Sequence, residues 1–151
     1  MKLPKISIIT PSYNQGQYIK DTIDSVLSQG YKNLEYFVID GGSTDDTVKI
    51  LKSYGNKLKW VSEKDQGQTD AINKGLKLTS GDVLAYLNSD DIYLTGTLKR
   101  VGEYYARTGA DWITGDCLVI NEKGEVSKNN WIISGYKRFL IAIYSRTTLM
   151  V

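Results

Sequence analysis

Four short apolar runs alternate with segments of helical period, and each run stops at a polar cluster. The runs are Ile6-Ser-Ile-Ile-Thr10, Tyr36-Phe-Val-Ile-Asp40, the weaker Leu58 to Ser62, and Val83-Leu-Ala-Tyr-Leu87. Their shortness and β-branched content predict buried strands. Between them, Ile19, Ile23, Val26 and Leu27 recur at helical spacing until Gly30. Ser43 with Asp46 reads as a capping box for a helix carrying Val48 and Leu51. Asp65 and Gln68 read as caps for a helix with Ala71, Ile72, Gly75 and Leu76 on one face. A last helix is expected over 96–107, with Leu98, Val101 and Tyr105 turned inward. Strands alternating with helices predict right-handed crossovers and an α/β fold with a mainly parallel sheet flanked by helices. Near Arg107 the pattern changes. Trp112 to Ile120 and Glu125 to Lys128 predict a β-hairpin extension turning at Asn121-Glu-Lys-Gly124.

A chain of 151 residues with 41% apolar content suits a single domain with a full core. A formal net charge of +2 argues against a nucleic-acid partner. The absence of histidine removes Ser-His-Asp and Cys-His catalysis and most zinc sites. A metal would have to be held by oxygen, which selects Mg2+ or Mn2+. The single cysteine, Cys117, has no internal disulfide partner and is read as buried and inert. With no secretion signal before Ile6, the expected setting is cytoplasmic. Trp131 to Val151 mixes apolar and aromatic residues with Lys137, Arg138 and Arg146. Packing on the core is the favoured reading of that tail; peripheral association with the inner face of a membrane is the alternative.

Ligands of open α/β sheets bind beyond the carboxyl ends of the strands. At those ends stand Thr10-Pro-Ser-Tyr-Asn14, Asp40-Gly-Gly-Ser-Thr-Asp-Asp46, Glu63-Lys-Asp-Gln-Gly67 and Asn88-Ser-Asp-Asp91. Aspartates also cap helices and start turns, and for Asp45, Asp46 and Asp65 that reading is as good as a functional one. It is weaker for Asp40, which ends an apolar strand before Gly41-Gly42, where another group can approach the backbone. It is weakest for Asp90 and Asp91, adjacent carboxylates whose repulsion a cation would offset. No loop ends in Gly-Lys-Ser/Thr, which excludes a P-loop. The first strand lacks the three-glycine dinucleotide fingerprint and the acidic pair of a phospho-receiver. Tyr13-Asn-Gln-Gly-Gln17 is not the basic glycine-rich loop of a nucleotidyltransferase.

Ile8-Ile-Thr-Pro-Ser-Tyr-Asn14, Val38-Ile-Asp-Gly-Gly-Ser-Thr-Asp-Asp-Thr47 and Leu87-Asn-Ser-Asp-Asp91, in this order, resemble family-2 glycosyltransferases of the GT-A fold. The last segment is similar to that family's Asp-x-Asp motif, and Asp65 to Gly75 to the helix before it. The resemblance covers about residues 5–118. It implies that Thr10, Pro11 and Tyr13 line a base and ribose pocket, with the Tyr13 ring on uracil. It implies that Asp40 accepts the uracil imide N–H, which cytosine and adenine lack. Asp65 would lie near the nucleotide, Asn88 and Ser89 by the ribose and diphosphate, and Asp90, with Asp91 as its partner, on Mg2+ or Mn2+. The implied reaction is metal-dependent transfer of a sugar, with inversion, from a nucleotide diphosphate to an acceptor hydroxyl. The donor is a UDP-sugar by preference over a dTDP-sugar, the acceptor a saccharide or lipid-linked glycan of cell-surface polysaccharide or lipopolysaccharide.

The chain departs from the family in three ways. Asn88 stands at the first Asp of the motif, Gly41 at the second Asp of an Asp-Asp-Gly-Ser segment, and Ile72 where many members place Arg. The resemblance puts the catalytic base downstream of the last motif, and the chain is expected to stop at Val151 before it, with about 111–151 forming an incomplete acceptor side. Asp116 is read as part of the acceptor wall. A non-catalytic remnant that keeps only the nucleotide site is therefore the alternative reading, and a homodimer is one way to restore the missing wall.

Overall fold

The computed structural model describes residues 2–115, 118, 120, 125 and 143–145. Strands β1 (Ile6–Ser12), β2 (Leu34–Asp40), β3 (Lys59–Ser62) and β4 (Val83–Tyr86) are linked by helices α1 (Ile19–Leu27), α2 (Thr47–Ser53) and α3 (Gln68–Leu78). Helix α4 (Thr97–Thr108) precedes two short strands, β5 (Trp112–Ile113) and β6 (Ile143–Ser145). The sheet order is β3-β2-β1-β4-β6-β5. β1 pairs in parallel with β2 and β4, and β2 with β3. β6 runs antiparallel to both β4 and β5.

Alternation along the strands divides the core between two faces. Ile6 and Ile8 of β1, Tyr36 and Val38 of β2, and Val83 and Ala85 of β4 pack with Ile19, Ile23 and Val26 of α1, Leu51 of α2, and Leu98 and Val101 of α4. Ile9, Phe37 and Ile39 point the other way and pack with Ala71 of α3. A central sheet covered on both faces requires near-continuous apolar strands, which is why β1 is buried along its whole length. Helix α3 lies so close to β1 that a Cβ on Gly75 would stand 2.6 Å from Ile9 Cγ2. A Cβ on Gly102 of α4 would likewise meet the Tyr31 hydroxyl, which donates to the Pro4 carbonyl.

The amino edge of the sheet has a polar centre of its own. The Glu35 carboxylate accepts hydrogen bonds from the Ser7 hydroxyl at 2.8 Å and the Ser80 N–H at 2.8 Å, and pairs with Lys5 at 3.2 Å and Lys59 at 3.6 Å. Burial alone would raise its pKa. The Ser80 N–H, the Ser7 hydroxyl and Lys5 outweigh that and hold it at about 2.

Two expected caps are corrected. The capping box at Ser43 and Asp46 does not form: Asp46 makes no capping bond, and Asp45 accepts the Thr47 N–H at 3.0 Å. Ser43 is engaged elsewhere, donating to Asp40 and accepting the Asn14 N–H. At α3 the residue before the helix is Gly67, with φ of 108°, and Gln68 sends its side chain to Asn88 instead. The expected hairpin turn at 121–124, Asp116, Cys117 and the apolar tail apart from 143–145 lie outside the described residues. In the hairpin segment, Trp112–Ile113 is paired with β6. Among the described residues no helix is long and apolar enough to cross a membrane.

Candidate functional site

The four polar clusters read from the sequence meet at the carboxyl edge of the sheet, and hydrogen bonds tie each to the next. The loop after β1 is fixed to the loop after β2. Asn14, in the left-handed region at φ of 51°, accepts the Thr44 N–H at 2.9 Å through its side chain. The Asn14 N–H in turn donates to the Ser43 hydroxyl at 2.7 Å, and the Gly16 N–H to Asp45 at 2.8 Å. Hydrogen bonds from Thr47 and Gly16 hold the Asp45 carboxyl below its ordinary range against a desolvation that would raise it. Tyr13 stands on this braced loop with its side chain largely exposed. Such a ring offers a flat apolar face to a base at little further ordering cost.

Thr10 and Pro11 lie beneath that loop and are buried. The Thr10 hydroxyl is shared with the Tyr36 hydroxyl at 3.0 Å on the α1 side of the sheet. Its side chain therefore joins β1 to β2 beneath that loop.

Asp40 is fully buried. Its Oδ2 accepts the Gly42 and Ser43 N–H groups at 3.2 and 3.0 Å and the Ser62 hydroxyl at 2.6 Å, while Oδ1 accepts the Ser43 hydroxyl. The carboxylate shapes the turn after β2 and joins it to β3. The close approach that Gly41 was expected to allow is made by the chain itself: a Cβ there would lie 2.8 Å from Asp65 Oδ2. Asp65 is half-buried and accepts the Gly67 N–H through Oδ1 at 2.9 Å, leaving Oδ2 without a hydrogen bond among the described residues.

The loop after β4 is joined to the start of α3. Gln68 Nε2 donates to Asn88 Oδ1 at 2.7 Å, and Asn88 Nδ2 donates to Asp91 Oδ2 at 3.0 Å. Ser89 is buried, whereas Asp90 and Asp91 are exposed. Partial desolvation raises the Asp91 pKa, the Asn88 amide works against it, and the Asp90 carboxylate adds to it. Among the described residues no group of three His, Cys, Asp or Glu side chains could hold a metal alone. A pair of carboxylates still suits Mg2+ or Mn2+, hard cations that take one or two protein carboxylates and complete their shell with water and phosphate oxygen. The donor chemistry of Asp90 and Asp91 thus fits the cation.

Sequence reading did not find the Gln68–Asn88–Asp91 chain or the Gly41–Asp65 contact. The glycine pair was the only signal for the second. The first had none, because it joins residues 20 positions apart.

The model for glycosyl transferase family 2 matches residues 7–150. An uncharacterized glycosyltransferase of Rickettsia prowazekii (strain Madrid E) is 41% identical over 97 residues, 64% of this chain and 30% of the relative. TarS 1–349 of S. aureus superposes with a TM-score of 0.76 at 26% identity, over 93% of this chain and 47% of TarS 1–349. Its complex with UDP-GlcNAc gives 0.72 at 27% identity, over 82% of this chain and 37% of that one. The mannosyltransferase PcManGT of Pyrobaculum calidifontis, solved with GDP-Man and Mn2+, shares the fold at a TM-score of 0.69 and 23% identity, over 80% of this chain and 37% of that one. The chain thus spans less than half the length of these relatives. The family match over nearly the whole sequence, on a parallel sheet shared with these GT-A transferases, makes the chain a member of glycosyl transferase family 2.

Proposed function

We propose that this chain binds a nucleotide-diphosphate sugar, a UDP-sugar by preference, at the carboxyl edge of its sheet, as the donor half of an inverting, metal-dependent glycosyltransferase. The observation that carries the reading is the run of contacts at that edge: the loop bearing Tyr13 and Asn14 is tied to Ser43 and Asp40, Asp65 rests against Gly41, and Gln68 is joined through Asn88 to Asp91, the neighbour of Asp90. TarS, at 27% identity, was solved with UDP-GlcNAc, which supports a UDP-linked donor.

In this reading the exposed Tyr13 ring covers the base. The imide N–H of uracil goes to a carboxylate at the carboxyl ends of β2 and β3, where Asp40 and Asp65 stand. Asp65 is the better placed acceptor, being half-buried and having an Oδ2 that accepts no hydrogen bond among the described residues, while the buried Asp40 fixes the turn against which Asp65 rests. Both oxygens of Asp40 already accept internal hydrogen bonds, Oδ1 from the Ser43 hydroxyl. Pro11 and Thr10 form the floor, and Asn88 and Ser89 flank the ribose and diphosphate. Asp90 and Asp91 would hold Mg2+ or Mn2+, which when bound offsets the charge that grows on the departing diphosphate. No described residue is assigned as the base. The acceptor, a saccharide or lipid-linked hydroxyl of a cell-surface glycan, is proposed from family membership alone.

Calorimetric titration of UDP into the protein, with Mn2+ and then with EDTA, tests the donor site. Metal-dependent binding is expected. No binding in either condition would reduce the chain to a fold that has lost the donor site.

A further inference from the structure

The loop from Asn88 to Gly96 is irregular, and its backbone groups need partners. Three side chains of a single stripe on α1 and just past its end supply several of them. The buried Thr22 donates its hydroxyl to the Ser89 carbonyl at 2.9 Å. One turn on, the Ser25 hydroxyl accepts the Tyr93 N–H at 3.1 Å. Another turn on, just past the helix, Gln29 Nε2 donates to the Leu94 carbonyl at 3.1 Å while its Oε1 accepts the Leu98 N–H at 3.4 Å. Positions 22, 25 and 29 share a helix face with the core residues Ile23 and Val26 beside them. Polar side chains on an inward-facing stripe need a partner to be tolerated, and here each of the three has one in this loop, Gln29 reaching also to Leu98 in the first turn of α4.

The first two bonds bracket the carboxylate pair. Ser89 immediately precedes Asp90, and Tyr93 lies two residues after Asp91. Asp90 and Asp91 are themselves exposed, and the side-chain bond that Asp91 receives comes from its own loop. Their position relative to the sheet is thus set by backbone that α1 holds.

We infer that Thr22 and Gln29, with Ser25 between them, are positioning residues for cation binding: through the loop backbone they hold Asp90 and Asp91 where one cation can use both. The inference rests on the proposal that these carboxylates bind the metal. A loop released from α1 keeps its carboxylates but must be ordered when the cation binds, so the loss falls on metal-dependent affinity.

The test is UDP binding by calorimetry, in Mn2+ and in EDTA, for the whole chain and its variants. Wild-type protein is expected to bind more tightly in Mn2+. Thr22→Val, near in shape and lacking the donor, is expected to lower that gain about tenfold, the equilibrium equivalent of one lost buried hydrogen bond. Its affinity in EDTA should be unchanged, and Thr22→Ser should restore the gain. Gln29→Leu, at a less buried position, should act in the same direction. Ser7→Ala removes a hydrogen bond at the far edge of the sheet and should keep the full gain at reduced stability. A full Mn2+ gain in folded Thr22→Val and Gln29→Leu, or an equal loss in Ser7→Ala, overturns the inference. No gain in the wild type overturns the cation assignment beneath it, and is a separate result.

Discussion

Asp65 occupies the space that a side chain on Gly41 would need, its Oδ2 lying 2.8 Å from the position of a Gly41 Cβ. The glycine is therefore required by its neighbour. Gly41→Ala should push the Asp65 carboxylate aside and weaken UDP binding about tenfold while the fold survives. Adding Asp65→Gly removes the clash, so the double variant should regain stability without regaining affinity. Thermal unfolding and UDP calorimetry on both variants check this.

The carboxylates that follow β2 and β3, Asp40 and Asp65, should separate by phenotype. Asp65→Asn is expected to cost about 10- to 100-fold in UDP affinity and to narrow the preference for UDP over CDP. Asp40→Asn turns an amide toward the donors of Gly42, Ser43 and Ser62, and should cost about 1–3 kcal/mol of stability. Competition between UDP and CDP, read beside denaturant unfolding, distinguishes them. A lost UDP preference in Asp40→Asn alone would return the base-reading role to Asp40.

Asp90→Asn should abolish the Mn2+ dependence of UDP binding and leave the fold intact. Unchanged UDP affinity with and without Mn2+ would remove the metal assignment. Asn88→Asp should act in the opposite direction. It places a further negative charge beside Asp91, where the amide now donates. Stability in EDTA should fall by about 1 kcal/mol, and the rise in melting temperature on adding Mn2+ should exceed that of the wild type.

Glu35 makes stability depend on acid. Its folded pKa of about 2 lies below an ordinary 4.5, so its contribution is complete above that ordinary value and is lost as pH falls toward 2. The interval corresponds to about 3 kcal/mol. Glu35→Gln should be less stable than the wild type at pH 7, and the gap should narrow at pH 3. Urea unfolding at the two pH values measures it.

Gly75→Ala tests the packing of α3. An alanine in a helix interior gains about 1 kcal/mol over glycine. A Cβ 2.6 Å from the buried Ile9 costs about 1–3 kcal/mol of overpacking, so the net change should be destabilising. A raised melting temperature would show that Ile9 yields easily.

Much of this was legible in the sequence because the sheet is covered on both faces. Continuous apolar runs then mark the strands, and their abrupt ends mark the carboxyl edge where Asp40 and Asn88 stand. What escaped was the traffic of hydrogen bonds between loops. Ser43 and Asp46 had the spacing of a capping box, but Asp40 and Asn14, brought close by the fold, compete for Ser43 and win. Nothing in the sequence singles out Thr22, Ser25 and Gln29, since nothing local shows that an irregular loop 65 or more residues away lies across them. Nor does the sequence show that the Thr10 hydroxyl, at the end of its apolar run, is shared with Tyr36 of the neighbouring strand.

The Glu35 cluster has a practical consequence. It ties β1, β2, β3 and the approach to β4 together at one rim of the sheet, while every residue proposed to touch donor or cation stands at the opposite rim. Robustness and chemistry draw on different residues of the same strands. A protein engineer can therefore harden this scaffold from below, by redesigning around Lys5, Ser7 and Ser80, and leave the loops above free to be retuned for another sugar nucleotide.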